Sequence, residues 1–165
     1  MPTTTLATDP VDDDRAERCS VARSVELLGE RWSLLLVREA LRGATTYSQF
    51  RERLGVPSDV LSARLRTLTE AGVLEKVPYR PDGERERSRY ELTEQGRALK
   101  LVLAALAQWG DENRPTPFGR ASYPADVETG EELELVFVDR TGAAVPIDRV
   151  RIVPGPAART GWDSL

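Results

Sequence analysis

No histidine occurs anywhere in the chain, and there is one cysteine, Cys19. The first absence removes Ser–His–Asp triads, Cys–His dyads and His-ligated zinc sites together. The second excludes an internal disulfide and any CxxC pair. The glycines build neither a phosphate-cradling P-loop nor a dinucleotide fingerprint. Acid pairs such as Glu131/Glu132 and Glu84/Glu86 lie in polar sequence, where carboxylates solvate the surface rather than exchange protons with a substrate. No set of residues asks for catalysis, a metal or a cofactor. Long apolar runs are missing too, since none reaches the ~18 residues of a membrane span. The first 14 residues, MPTTTLATDPVDDD, lack the basic region and apolar stretch of a secretory signal. A cytoplasmic protein with no membrane partner is therefore expected. What remains, 165 residues at 40% hydrophobic content, suits one domain with an appendage, or two very small domains.

Lysine is scarce: arginine supplies 21 of the 23 basic residues, leaving Lys76 and Lys100. The plainer reading of that bias is a genome-wide coding preference, yet the guanidinium fork also suits phosphates and guanine edges. The net charge of −4 argues at first against a nucleic-acid partner. Its distribution argues otherwise. Residues 1–14 carry four acids and no bases; residues 15–114 carry 18 bases and 15 acids; residues 115–165 carry five bases and eight acids. The central part is thus positive and flanked by acidic segments that limit non-specific association.

Within that positive part, residues 46–89 read as helix, tight turn, helix and arginine-rich hairpin. TYSQFRERL opens with a capping box in which Thr46 caps Gln49 and Gln49 reaches back. Gly55 and Pro57 break the chain, and Ser58 is expected to recap it. Leu61, Leu65 and Leu68 then recur at i, i+4 and i+7 as a buried stripe. Asp59, Ser62, Ala63 and Arg66 are left on a small, hydrogen-bonding outer face suited to a DNA major groove. Gly72 ends the helix, and two strand-like segments near residues 73–78 and 88–92 flank a Pro-Asp-Gly turn carrying Arg80, Arg85, Arg87 and Arg89. This is the pattern of a winged helix-turn-helix.

A family resemblance follows from motifs in order: Cys19 at the first helix, Gly29-x-Arg31-Trp32 before the second, and Phe50-Arg51 in the third. Leu61-Ser62-x-Arg64-Leu65-x-x-Leu68 and Tyr90-x-Leu92-Thr93-x-x-Gly96 complete the set. Over about residues 17–113 the chain resembles the HxlR-type family of bacterial winged helix-turn-helix regulators. The resemblance implies a small homodimeric transcription factor that binds double-stranded operator DNA, with sensing of electrophiles or oxidants through a Cys near the N-terminus in some members. Here Ser20 stands where the family often has Pro after that Cys.

The expected fold is α+β, mainly α: a winged helix-turn-helix with N- and C-terminal dimerisation helices plus a C-terminal β-hairpin extension. Residues 1–14 read as a disordered acidic tail, 15–114 as the DNA-binding and dimerisation domain, and 115–165 as the extension. The first helix is expected over about residues 15–28, and the second, about 32–41, is apolar on nearly every side except Arg38 and Glu39. Helices three and four are expected over 48–54 and 59–71. Thr93 caps a final helix to about residue 113. Its Leu99, Val102, Leu103, Leu106 and Trp109 make a stripe too long for one small domain, and are read as a dimer seam with helix 1 of the partner, the alternative being packing against their own domain. Beyond residue 115, ELELVFVD (132–139) alternates like a strand, and VPIDRVRIV (145–153) reads as its hairpin partner. Cys19 has two readings: a small packed hydrophobe, or a sensor whose thiolate Arg15, Arg18 and Arg23 would favour.

Two functions from different classes fit. One is a homodimeric repressor. Ser48, Ser58, Asp59, Ser62, Arg64 and Arg66 would lie at the groove, and Arg80, Arg85, Arg87 and Arg89 at phosphates or the minor groove, under an unidentified small-molecule or electrophile effector. The other is a winged-helix protein-interaction module that has lost DNA binding, as the acidic balance and Glu84/Glu86 suggest.

Overall fold

The computed structural model describes residues 19–80 and 87–156. Residues 27–135 form one compact unit, and the described residues 19–26 and 136–156 belong to a second. Among the described residues no helix is long and apolar enough to cross a membrane.

Among the described residues, five α-helices and a two-stranded wing carry the fold. Helix α1 spans Ser20–Leu28 and α2 spans Arg31–Leu41. The part of the first helix expected before residue 19 lies outside the described residues. Helix α2 is the strut: it packs against the two following helices, the second wing strand and the last helix. Leu36 and Val37 are fully buried on it. Glu39, read from sequence as a polar break in that strut, is in fact buried with it.

Helix α3 is Tyr47–Leu54, with the capping box in place. The Gln49 amide donates to Thr46 Oγ1 at 3.3 Å, and Gln49 Oε1 accepts the Thr46 amide at 3.0 Å. Two orphan donors of the first turn are thereby satisfied. Gly55, at φ +60°, closes the helix in the left-handed conformation that glycine adopts without strain.

Helix α4 is Ser58–Glu70, and Leu61, Leu65 and Leu68 are its buried residues, as the spacing requires. Ser58 does not recap it: Pro57 occupies the N-cap position without a side-chain bond, and its carbonyl receives the Leu61 amide at 2.9 Å. The fixed proline φ, −56°, pre-sets the turn, so Ser58 falls one position inside the helix. At the other end the Val73 amide bonds Leu68 O and the Gly72 amide bonds Thr69 O, a Schellman motif around Gly72 at φ +72°.

Strands β1 (Leu74–Tyr79) and β2 (Arg87–Leu92) pair antiparallel, Leu74 opposite Leu92 and Tyr79 opposite Arg87. Tyr90 meets the buried Phe50 ring edge-on at 6.4 Å, and its amide donates to Thr45 O at 2.7 Å, so the wing is tied to the start of α3. Helix α5, Glu94–Asn113, follows at once. Thr93 Oγ1 accepts the Gly96 amide at 3.0 Å and donates to Gly72 O at 2.6 Å, capping α5 and locking it to the end of α4. Gly96 has a steric reason: a Cβ there would lie 2.1 Å from Val73 O.

The extension forms a hairpin, but a shorter one than the alternation suggests: β3 is Phe137–Val138 and β4 is Ala144–Val145. Pro146 has no amide to continue the ladder, and residues Ile147–Arg149 turn into a 3-10 helix. Upstream, residues 133–135 spend their backbone bonds elsewhere. The Leu133 amide donates to Pro124 O, and Leu135 is held by the Gln108 side chain.

The architecture is α+β and mainly helical, a winged helix-turn-helix with a small added hairpin.

Candidate nucleic-acid interface

Burying Leu61, Leu65 and Leu68 fixes the rotation of α4, which exposes Ser58, Asp59, Ser62 and Arg66 along its other side. Their hydrogen-bonding capacities differ. Ser62 Oγ lies within donating reach of the Ser58 carbonyl at 2.8 Å and of the Tyr47 hydroxyl at 3.4 Å, so its one proton is used inside the motif and it offers only lone pairs outward. Asp59 likewise accepts only, whereas Arg66 only donates. One end of the helix thus presents acceptors and the next turn a donor.

Arg64 points differently from Arg66. It is partly buried and its Nη2 lies 3.5 Å from Glu30 Oε1, which ties α4 to the start of α2.

Tyr47 carries no weight in the sequence reading, yet it joins the two helices of the motif. Its hydroxyl donates to Ser58 O at 3.0 Å and lies 3.4 Å from Ser62 Oγ. Side-chain hydrogen bonding with Ser62 and then with Ser58 holds its pKa below the ordinary phenol value. The available signal was its place in the first turn of α3, the side that meets the start of the next helix. Ser48 sits beside it, exposed, with its hydroxyl 3.1 Å from Thr46 Oγ1.

On the wing, strand alternation puts Arg87, Arg89 and Glu91 on one face and Tyr90 and Leu92 on the other, toward the core. Arg89 Nε pairs with Glu91 Oε1 at 2.5 Å, so part of that positive charge is spent within the wing. Arg80 is exposed at the end of β1. Arg85 lies outside the described residues, as do Glu84 and Glu86.

A second cluster escaped the sequence reading entirely. The Glu39 carboxylate receives Arg38 Nε at 2.9 Å, with Arg42 Nη1 at 3.5 Å and Arg53 Nη1 at 3.7 Å. Arg53 also donates to the Arg42 carbonyl at 3.3 Å. One buried carboxylate therefore staples the ends of α2 and α3 through three arginines. Residues distant in sequence converge there, which no helical period reveals.

The residues expected at a seam divide between two faces of α5. Leu99 and Leu103 pack on their own domain's core. Val102, Leu106 and Trp109, spaced i, i+4 and i+7, are exposed, Leu106 by 49% and Trp109 by 56%. Val21 and Val25 of α1 are exposed as well. Cys19 is half-buried and free, and its Sγ accepts the Ala22 amide at 3.4 Å at the start of α1. Arg15 and Arg18 lie outside the described residues.

Comparison with known proteins places this geometry. The model of the HxlR-like helix-turn-helix family matches residues 27–117, more than half of the chain. An uncharacterized HTH-type transcriptional regulator of Mycobacterium tuberculosis is 49% identical over 143 residues, covering 86% of this chain and 89% of that protein. YvaP of Bacillus subtilis, also described as an uncharacterized HTH-type transcriptional regulator, is 31% identical across 60% of this chain and 92% of its own length. A solved structure of a Pseudomonas aeruginosa protein described as a candidate transcription factor superimposes with a TM-score of 0.59 at 31% identity, over 86% of this chain and 96% of the other. The redox regulator HypR in its reduced form superimposes with a TM-score of 0.53 at 25% identity, over 58% and 94%. These relatives are transcriptional regulators rather than enzymes, and the chain belongs to the HxlR-like helix-turn-helix family of transcriptional regulators.

Proposed function

We propose that the protein is a cytoplasmic homodimer that recognises an inverted-repeat operator in double-stranded DNA and represses transcription from it. The observation that carries this reading is the outer face of α4, where Asp59, Ser62 and Arg66 stand exposed above three buried leucines. Acceptor-only groups suit the exocyclic amines of adenine or cytosine, and the Arg66 fork suits the O6/N7 edge of guanine. Ser48 and Ser58 lie at helix starts, where hydroxyls and amides hold backbone phosphates. Arg80, Arg85, Arg87 and Arg89 supply the wing's phosphate or minor-groove contacts, and Arg64 braces the reading helix through Glu30.

Two copies are required because one winged helix reads only a few base pairs. Val102, Leu106 and Trp109 form the seam, backed by Leu99 and Leu103 from within each subunit. An exposed apolar stripe of this length on a helix marks an interface rather than a solvated surface. Helix α1 exposes Val21 and Val25 as well. Cys19, at the start of that helix, is where an electrophile or oxidant would alter it.

The test is selection of genomic fragments by the purified protein, followed by a reporter fused to the recovered sequence. Enrichment of one inverted repeat, with reporter output rising when the regulator is deleted, is the expected result. The pairing of Arg89 with Glu91 and of Arg64 with Glu30 lowers the free positive charge of this face and favours a protein-interaction module. Recovery of no enriched DNA would select that second reading.

A further inference from the structure

Helix α4 begins without a side-chain cap. Pro57 takes its N-cap position and contributes no side-chain hydrogen bond, so the usual device that fixes a helix start is missing there. Yet that end of the helix exposes Ser58, Asp59 and Ser62. The rest of α4 is held by other means: Leu61, Leu65 and Leu68 are buried, Arg64 reaches Glu30, and Thr93 binds the Gly72 carbonyl just past its end. At the start the tie comes from Tyr47. Its ring packs against the core from the first position of α3. Its hydroxyl donates to Ser58 O at 3.0 Å and lies 3.4 Å from Ser62 Oγ, which is itself 2.8 Å from the same carbonyl. These oxygens close a triangle that bridges α3 to the opening of α4. We infer that Tyr47 is the positioning residue of sequence reading: its hydroxyl sets the start of α4, and with it Asp59 and Ser62, at the angle at which base edges are met. The inference rests on the reading of α4 as the helix that contacts bases.

A tether at this place acts on discrimination more than on general attraction. Hydrogen bonds to base edges weaken steeply once their angles open. Asp59 and Ser62 have short side chains, which cannot follow a displaced backbone. Phosphate contacts from long arginines rest on charge and carry no sequence information, so they tolerate the same displacement. Arg66, one turn beyond Ser62 and on a long side chain, is the reading residue least dependent on the tether. Tyr47 itself is not offered to the groove, because its proton and a lone pair are both used between the two helices.

The experiment compares the full chain with Tyr47→Phe, which keeps the ring and removes only the bridging hydroxyl. Amide hydrogen exchange is measured without DNA, and binding is measured to a selected operator and to a scrambled duplex across a salt series. The Leu61 amide, bonded to Pro57 O, and the Ser62 amide of the next position should exchange roughly three- to tenfold faster in the variant. The Leu65 and Leu68 amides should exchange at the parent's rate. The ratio of operator to scrambled affinity should fall by a similar factor, roughly three- to tenfold, with preference relaxed under Asp59 and Ser62 and kept under Arg66. Scrambled-duplex affinity and its salt slope should match the parent's. Unchanged exchange at Leu61 and Ser62 would remove the tether and overturn the inference. So would an operator preference equal to the parent's, or an equal loss on both duplexes, which would make the hydroxyl a phosphate contact. If exchange behaves as expected while the parent itself enriches no DNA sequence, the tether stands as a fold contact. The operator reading, and Tyr47's part in it, then fall together.

Discussion

At the scale of single residues, two positions carry more of the fold than their size or polarity suggests. Gly96 reads as the end of a motif, but its reason is a close approach: any Cβ would meet Val73 O at 2.1 Å and Leu92 Cδ2 at 2.9 Å. The first of these is backbone and cannot rotate away. Gly96→Ala should therefore destabilise the domain by roughly 2–4 kcal/mol despite its better helix propensity. Chemical denaturation checks this, and a variant as stable as the parent would mean that α5 can shift off β1 without loss. Glu39 is the other. Removing its charge frees three arginines that are themselves partly solvated, so the loss is smaller than for a fully buried pair. Glu39→Gln is expected to cost about 1–2 kcal/mol and to loosen the ends of α2 and α3. Arg66 matters for function instead of folding. Arg66→Ala should weaken operator binding by about 1–3 kcal/mol and relax preference at one position per half-site, while thermal stability stays at the parent's level.

Elements with strong local rules were legible in the sequence. The capping box of Thr46 and Gln49, the leucine period of α4 and the glycine closing it each follow from spacing a few residues long, and each appears at its place. What escaped depended on neighbours brought in by the fold. Ser58 lost its cap to Pro57, Tyr47 gained a partner in the next helix, and Gln108 captured the backbone of Leu135. The hairpin illustrates the same limit. Alternation from residue 132 onward is real, but strand pairing needs a free partner amide, and Pro146 ends it after two residues. For the wing, the charge within the element decides the prediction. Arg85→Ala with Arg87→Ala should flatten the slope of log affinity against log salt by roughly 2 units if both touch phosphate. Arg89→Ala should change the slope less, because Glu91 already neutralises that side chain. Equal slopes for the parent and the double variant would show that the wing is not a phosphate clamp.

For the whole molecule, the three faces of α5 summarise how one 20-residue helix serves several ends: Leu99 and Leu103 inward, Val102, Leu106 and Trp109 outward, and Gln108 holding the Leu135 backbone on the remaining side. Only the combined apolar stripe was visible in sequence; its division into two faces depends on where the domain's own core lies. Leu106→Glu places a charge in the outward face without touching any DNA-facing residue. It should yield monomers, and with them a loss of operator affinity far larger than a single base contact could explain.

The proposed function turns on two reading helices, held at fixed spacing, recognising one operator. Selection of bound fragments from genomic DNA at near-physiological salt, followed by footprinting of the enriched site, tests it most directly. The expected site is an inverted repeat whose half-site centres lie about one helical turn apart, ~34 Å along the duplex, protected by two subunits. Enrichment of no sequence, or of a single unrepeated half-site protected by one subunit, would contradict it.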